Sequence, residues 1–238
     1  MPIIRFALLA AAAALAGCAG PTTTGIAMSD HGTLVPSGRI TIDFTRGADG
    51  PSRPHTGHAL EIGGTRVTGE DRQELAAGSL PVVFGGRSFA APNELRHEFD
   101  FRFAELAYRY RHFFGTGEFG LEALGGIGYA QLELTVTSAA QRANDKLSNG
   151  GLLAGVGMVW KLLPSTSLQS RLTLFTGGVE DVNDATRFDI HLAQAIGRHA
   201  VLRAGFATWR VHAEDDSSVN SSIRMRFSGP ALGLELAF

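Results

Sequence analysis

Apolar and polar residues alternate with period two through segment after segment of this chain, from about residue 57 to its carboxy terminus. That period belongs to extended strands with two unlike faces, because successive side chains of a strand point to opposite sides. The segments are 57–63, 97–112, 118–136, 149–161, 166–177, 185–196, 199–212 and 222–238. Glycine, proline, asparagine and aspartate punctuate the gaps between them. Several exceed the roughly five or six residues of a globular strand, and a tilted strand crossing a bilayer needs about 9–11. Thirty glycines and a charged fraction of only 18% suit strands and tight turns better than helices. The expectation is an all-β chain, an eight-stranded antiparallel up-and-down transmembrane β-barrel over residues 57–238.

The faces of these strands sort the side chains. Leu232, Leu234, Leu236 and Phe238 share one face of the last segment, opposite Ala231, Gly233, Glu235 and Ala237. Phe188, Ile190 and Leu192 oppose Asp189 and His191. Phe99, Phe101 and Phe103 oppose Glu98, Asp100 and Arg102, but beyond Ala104 the phase inverts, and Leu106, Tyr108 and Tyr110 oppose Glu105, Arg109 and Arg111. Keeping every apolar residue outward calls for a β-bulge near Ala104 and a second irregularity at Ser228-Gly229-Pro230. A barrel of about eight strands is filled by side chains, and an isolated buried charge is very costly. Asp100, Arg102, Glu105, Arg109, Glu122, Arg171, Asp189, Arg203 and Glu235 are therefore expected inside, as a polar plug of both signs. Tyr129 and Trp160 fall near strand ends, where interfacial aromatic girdles form.

Connections alternate in length. Residues 113–117, 162–165 and 197–198 are short turns; 64–96, 137–148, 178–184 and 213–221 are longer and polar. Short turns on one side and long loops on the other is the pattern of outer-membrane barrels. An even strand count puts both termini on the short-turn, periplasmic side. Segment 64–96 reads as a short helix over Glu70 to Leu75, followed by apolar Leu80 to Phe84 and Phe89. It is either a contact surface or a loop folded over the barrel mouth.

The amino terminus reads separately. Arg5 precedes an unbroken apolar run, Phe6 to Ala16, too short to span a bilayer and of the length of a secretory core. The run closes on Leu15-Ala16-Gly17-Cys18, which resembles the bacterial lipobox. The resemblance implies a signal peptide over 1–17, lipidation of Cys18 and, with Ala19 following, onward export to the outer membrane of a Gram-negative bacterium. Cys18 is the only cysteine, so no intrachain disulfide forms. Residues 18–56, rich in Gly and Pro, are expected to be a lipidated periplasmic tether. Its one alternating island, Arg39 to Phe44, leaves the strand count open.

The segments ELAYRYRHF, FGLEALGGIGYAQLELTV, GLLAGVGMVWKL and GPALGLELAF resemble the small OmpA/OmpX-type barrel family. In that family the last residues, here Leu232, Leu234, Leu236 and Phe238, form the signal read by the barrel-assembly machinery. The implied partners are outer-membrane lipid and the export and assembly machinery, with no ligand identified. A net charge of −2 with no basic stripe argues against nucleic acid. No established catalytic signature occurs, and no cofactor is implied beyond the lipid on Cys18. His55 and His58, three apart, would point to opposite faces of a strand. Asp189 and His191 share a face and would need a nearby serine to act as a triad. The expected function is a non-enzymatic structural or surface-interaction barrel. The alternatives are a lipid-modifying barrel enzyme and a narrow pore.

Overall fold

A computed structural model describes residues 26–31, 33–44, 56–178, 182–197, 199–215 and 221–237. Every regular element among them is a strand: β1 (Ile26–His31), β2 (Val35–Asp43), β3 (Thr56–Leu75), β4 (Val82–Phe84), β5 (Arg87–Phe89), β6 (Asn93–Phe114), β7 (Phe119–Thr137), β8 (Arg142–Leu163), β9 (Thr166–Gly177), β10 (Val182–Ile196), β11 (Ala200–Asp215) and β12 (Ser221–Ala237). Apart from the small β4–β5 hairpin, consecutive strands from β3 to β12 pair antiparallel. The sheet then closes on itself, because β2 pairs antiparallel with β3 and parallel with β12. β1 pairs parallel with the earlier part of β12, Ile26 opposite Ile223.

Two expectations are corrected here. Residues 26–31 and 35–43, assigned to a tether, are strands of the wall. β1 and β2 occupy one further place in the ring, which makes the count odd. An odd count forces a parallel closure, so the chain enters β1 where β12 begins. The described ends, Ile26 and Ala237, therefore lie at opposite ends of the barrel. At the junction, a Cβ on Gly229 would stand 2.0 Å from the Thr33 carbonyl oxygen, so only glycine lets the backbones of the two meeting strands approach this closely.

The strands also outrun their sequence-read limits at the long-connection end. Glu70 to Leu75, read as a helix, continues β3 and pairs with β6. The 137–148 loop shrinks to a turn at 138–141. Arginines and carboxylates pair across neighbouring strands there, for example Arg96 with Glu70 at 2.6 Å. The polar residues that read as loop are the outer face of a sheet.

No bulge breaks β6 or β12, whose registers run without a shift. Odd-numbered residues of β6 face inward along most of its length: Leu95, His97, Phe99, Phe101, Phe103, Glu105, Ala107 and Arg109 are all buried. What changes is chemistry. In the long-connection half the interior is apolar and the outside charged. In the short-turn half the interior is charged, and the outside carries exposed Ile62, Leu106, Ile127, Leu152, Val156, Leu174, Ile190, Leu202 and Leu232. Soluble monomers rarely expose apolar patches larger than a few hundred Å².

Candidate functional site: the barrel interior

In the short-turn half, strand alternation delivers one charged side chain after another to the lumen. Glu61 of β3 sits at the centre. Its carboxylate accepts hydrogen bonds from Arg109 of β6 and, at 2.8 Å, from Arg171 of β9, with Arg39 of β2 at 3.5 Å. Arg171 also reaches Glu122 at 3.2 Å, and the Nε of Arg111 donates to Glu122 at 2.6 Å. Arg39 continues to Glu105 at 3.5 Å, and Glu105 to Arg187 at 3.8 Å. The Nε of Arg187 donates to Asp189 at 2.8 Å, and Asp189 lies 3.2 Å from His191. A separate group joins Arg203 and Thr41 to Glu235. Each acid thus faces at least one cation, as buried ionised groups require.

Above this network the lumen is filled by aromatic rings. Trp209 lies 5.1 Å from Phe101 and 5.2 Å from Phe103, both edge-on. Phe227 lies 5.5 Å from Phe101, and Phe175 lies 5.5 Å from Phe103. Edge-to-face pairs at such distances are the preferred aromatic geometry. Arg187 joins the two layers, its guanidinium 5.4 Å over the Trp209 ring. Phe84 and Phe89 of the β4–β5 hairpin are also fully buried, with consecutive positive-φ residues Gly85 and Gly86 making its tight turn. Of the run Leu80 to Phe84 and Phe89, Leu80, Pro81 and Val83 are exposed, while Val82, Phe84 and Phe89 are buried.

Space beside this network is small, whereas a wider cavity of about 150 Å³ opens at the short-turn end of the lumen, lined by Arg111, Val159, Gln169, Ala193 and Val201. A cavity of about 40 Å³ lies among Arg39, Arg187, Asp189, Arg203 and Trp209, and one of about 10 Å³ lies beside Glu105. The two inner volumes have room for a few waters, not for a channel.

Glu105, Arg109, Glu122, Arg171, Asp189, Arg203 and Glu235 all reach the lumen. Asp100 and Arg102, expected there, face outward instead, because β6 has no bulge to turn them in. They form an external pair at 2.7 Å, joined by Arg66 at 2.7 Å. The Arg102 and Arg66 guanidinium groups hold the Asp100 carboxyl at about 2. Sequence reasoning missed Glu61, Arg39, Thr41 and Arg187. Arg39 and Thr41 carried a usable signal, the alternation of the 39–44 island. Leu232, Leu234 and Leu236 line the outer face of β12. Cys18, His55 and Phe238 lie outside the described residues. Tyr129 and Trp160 point outward, on opposite sides of the apolar zone.

Asp189 and His191 are adjacent, but the other ring nitrogen of His191 faces Gln169 at 3.3 Å, and Gln169 in turn bonds Ser167. A glutamine stands where a nucleophile would have to be. His58 contacts Tyr108. Among the described residues, no three His, Cys, Asp or Glu side chains group as a metal site would need. His97 is fully buried in the apolar layer, with neither ring nitrogen hydrogen-bonded. Burial lowers its pKa below the ordinary histidine value, and Asp71 partly opposes this. No protein-family model, curated protein or solved structure matches the chain.

Proposed function

We propose that this chain is an outer-membrane β-barrel lipoprotein that acts as a closed structural or surface-interaction module. The observation that carries this reading is the inversion along the barrel axis. A wall that is apolar outside and charged inside suits hydrocarbon around it. A wall that is charged outside and apolar inside suits water. One barrel holding both is a membrane-embedded stub with a solvated extension on the long-connection side. The filled lumen supports a non-conducting role.

The parallel closure changes where the lipid belongs. Cys18 precedes Ile26 by eight residues, a reach of at most roughly 28 Å. Ile26 stands at the far rim of the solvated extension, roughly 18 Å above the apolar zone by strand rise and tilt. The tether reaches the near leaflet, but not the far one across a further apolar band of about 25 Å. A lipid on Cys18 thus lies in the outer leaflet, not the periplasmic-facing leaflet that an even strand count implies.

The deciding experiment separates a spanning barrel from a lipid-tethered soluble domain. An ordinary cleavable signal replaces residues 1–18, and outer-membrane fractions are washed with alkaline carbonate. Retention of a heat-modifiable species is expected, and planar bilayers containing it should show no step currents. Quantitative release of folded protein would sink the spanning reading.

A further inference from the structure

The outer face of β11 and β12 carries an unusual set of rungs just beyond the apolar zone. Phe206 opposite Pro230 and Ala204 opposite Leu232 belong to that zone. The next outward rung is Thr208 with Ser228. Then Arg210 stands directly opposite Arg226, and His212 directly opposite Arg224. Two like charges directly opposite in a ladder, as Arg210 and Arg226 are, are destabilising. His212 has Asp184 of β10 at 3.5 Å. Among the described residues, no carboxylate forms an ion pair with Arg210, Arg224 or Arg226. Glu214 follows two residues beyond His212, further from the apolar zone.

The β3–β6 ladder shows that this is not general. There Arg66 and Arg102 share Asp100, Arg96 bridges Glu70 and Glu98, and Arg72 faces Glu94. A groove of about 430 Å³ lies over the β11–β12 rungs, lined by Arg210, His212, Arg224, Arg226 and Asp184.

Height selects the occupant. Arg210 is four residues beyond Phe206, roughly 13 Å along the strand and roughly 10 Å in height after tilt. The polar layer of a leaflet is only about 5–8 Å deep, and a long arginine reaches back toward it. Guanidinium groups bind phosphate oxygens in paired, planar fashion.

We propose that Arg210, Arg226 and Arg224 form a binding site for the phosphate headgroup of an anionic lipid in the leaflet bordering the long-connection end. The bound phosphate relieves the repulsion of the Arg210–Arg226 rung and fixes the height of the barrel in the membrane. This rests on the reading that the barrel spans a bilayer.

The test uses the full chain folded into phosphatidylcholine vesicles, alone, with phosphatidylglycerol, or with inorganic phosphate in the buffer. The readout is the midpoint of the heat-modifiable transition for wild type, R210Q/R226Q and R66Q. In phosphatidylcholine alone, R210Q/R226Q is expected to match or exceed wild type, since a repulsive rung is gone. Phosphatidylglycerol should raise the midpoint of wild type and of R66Q but leave R210Q/R226Q unmoved. Each arginine near an anionic surface corresponds to about a fivefold change in binding. Equal shifts in wild type and R210Q/R226Q overturn the site. A shift reproduced by inorganic phosphate overturns the lipid as its ligand. Failure of wild type to insert into any vesicle overturns the spanning reading instead, and this site with it.

Discussion

Val156 offers the most direct test of the apolar zone. It is 60% exposed on the outer face of β8, between exposed Leu152 and exposed Trp160. Eight residue steps separate those two, roughly 27 Å along the strand, or roughly 21 Å in height at a tilt of about 40°. That approaches the apolar band of about 25 Å expected of a membrane barrel and puts Val156 near its middle. In water, a substitution at so exposed a position changes stability by no more than about 0.5 kcal/mol. At the middle of a bilayer, arginine costs about 2–4 kcal/mol, a roughly 30- to 900-fold shift in the folding equilibrium. Asn144 supplies the control, being exposed on the same strand and face but in the solvated half. Val156→Arg should lose that amount and Asn144→Arg almost none. Both are measured by urea unfolding in phosphatidylcholine vesicles, followed by tryptophan fluorescence and heat-modifiability. Equal tolerance of both arginines would refute the membrane assignment, since burial alone predicts equality.

Glu61→Gln leaves Arg39, Arg109 and Arg171 around an uncharged centre and should destabilise the barrel by about 3–5 kcal/mol in the same urea assay; an unchanged midpoint would mean that the network does not hold the wall. Gly229→Ala drives a Cβ toward the Thr33 carbonyl at 2.0 Å and should reduce the heat-modifiable species, whereas normal yield would count against the parallel closure. His97 is buried neutral, so its contribution is present above the unfolded value of about 6.5 and is lost as pH falls through its lower folded value. Thermal midpoints should therefore drop on acidification below about pH 6.5, and His97→Leu should flatten that dependence; identical pH profiles would remove His97 as the cause. A protease site inserted after Cys18 should be cut on intact cells, and protection until the outer membrane is permeabilised would return the lipid to the periplasmic side.

Much of the wall was legible because strand alternation depends on local geometry. The segments at 166–177 and 185–196 nearly match β9 and β10. Strand ends at the long-connection side were not legible, because Glu70-Asp71-Arg72-Gln73-Glu74 carries no apolar residue to mark a face. Those charges are stabilised across the ladder by β6, and cross-strand partners are invisible in a linear reading. The place of β1 and β2 in the ring was only half legible: the 39–44 island alternates, but the parallel partner, β12, lies almost 200 residues away.

The face assignment failed more instructively. Placing Asp100 and Arg102 inside assumed one medium along the whole strand, so an inversion of pattern had to be an inversion of backbone. A bulge is a local event, and bulges in separate strands need not align. The change of interior chemistry does recur from strand to strand. It falls between Val67 and Glu61 in β3, between Phe103 and Glu105 in β6, between Ala207 and Arg203 in β11, and between Phe227 and Glu235 in β12, each time with the pairing register unbroken. Independent backbone defects do not coordinate themselves around a closed wall, whereas a boundary between two surroundings acts on every strand that crosses it. The inversion that looked like an irregularity of β6 is therefore better explained by the surroundings of the barrel than by its chain.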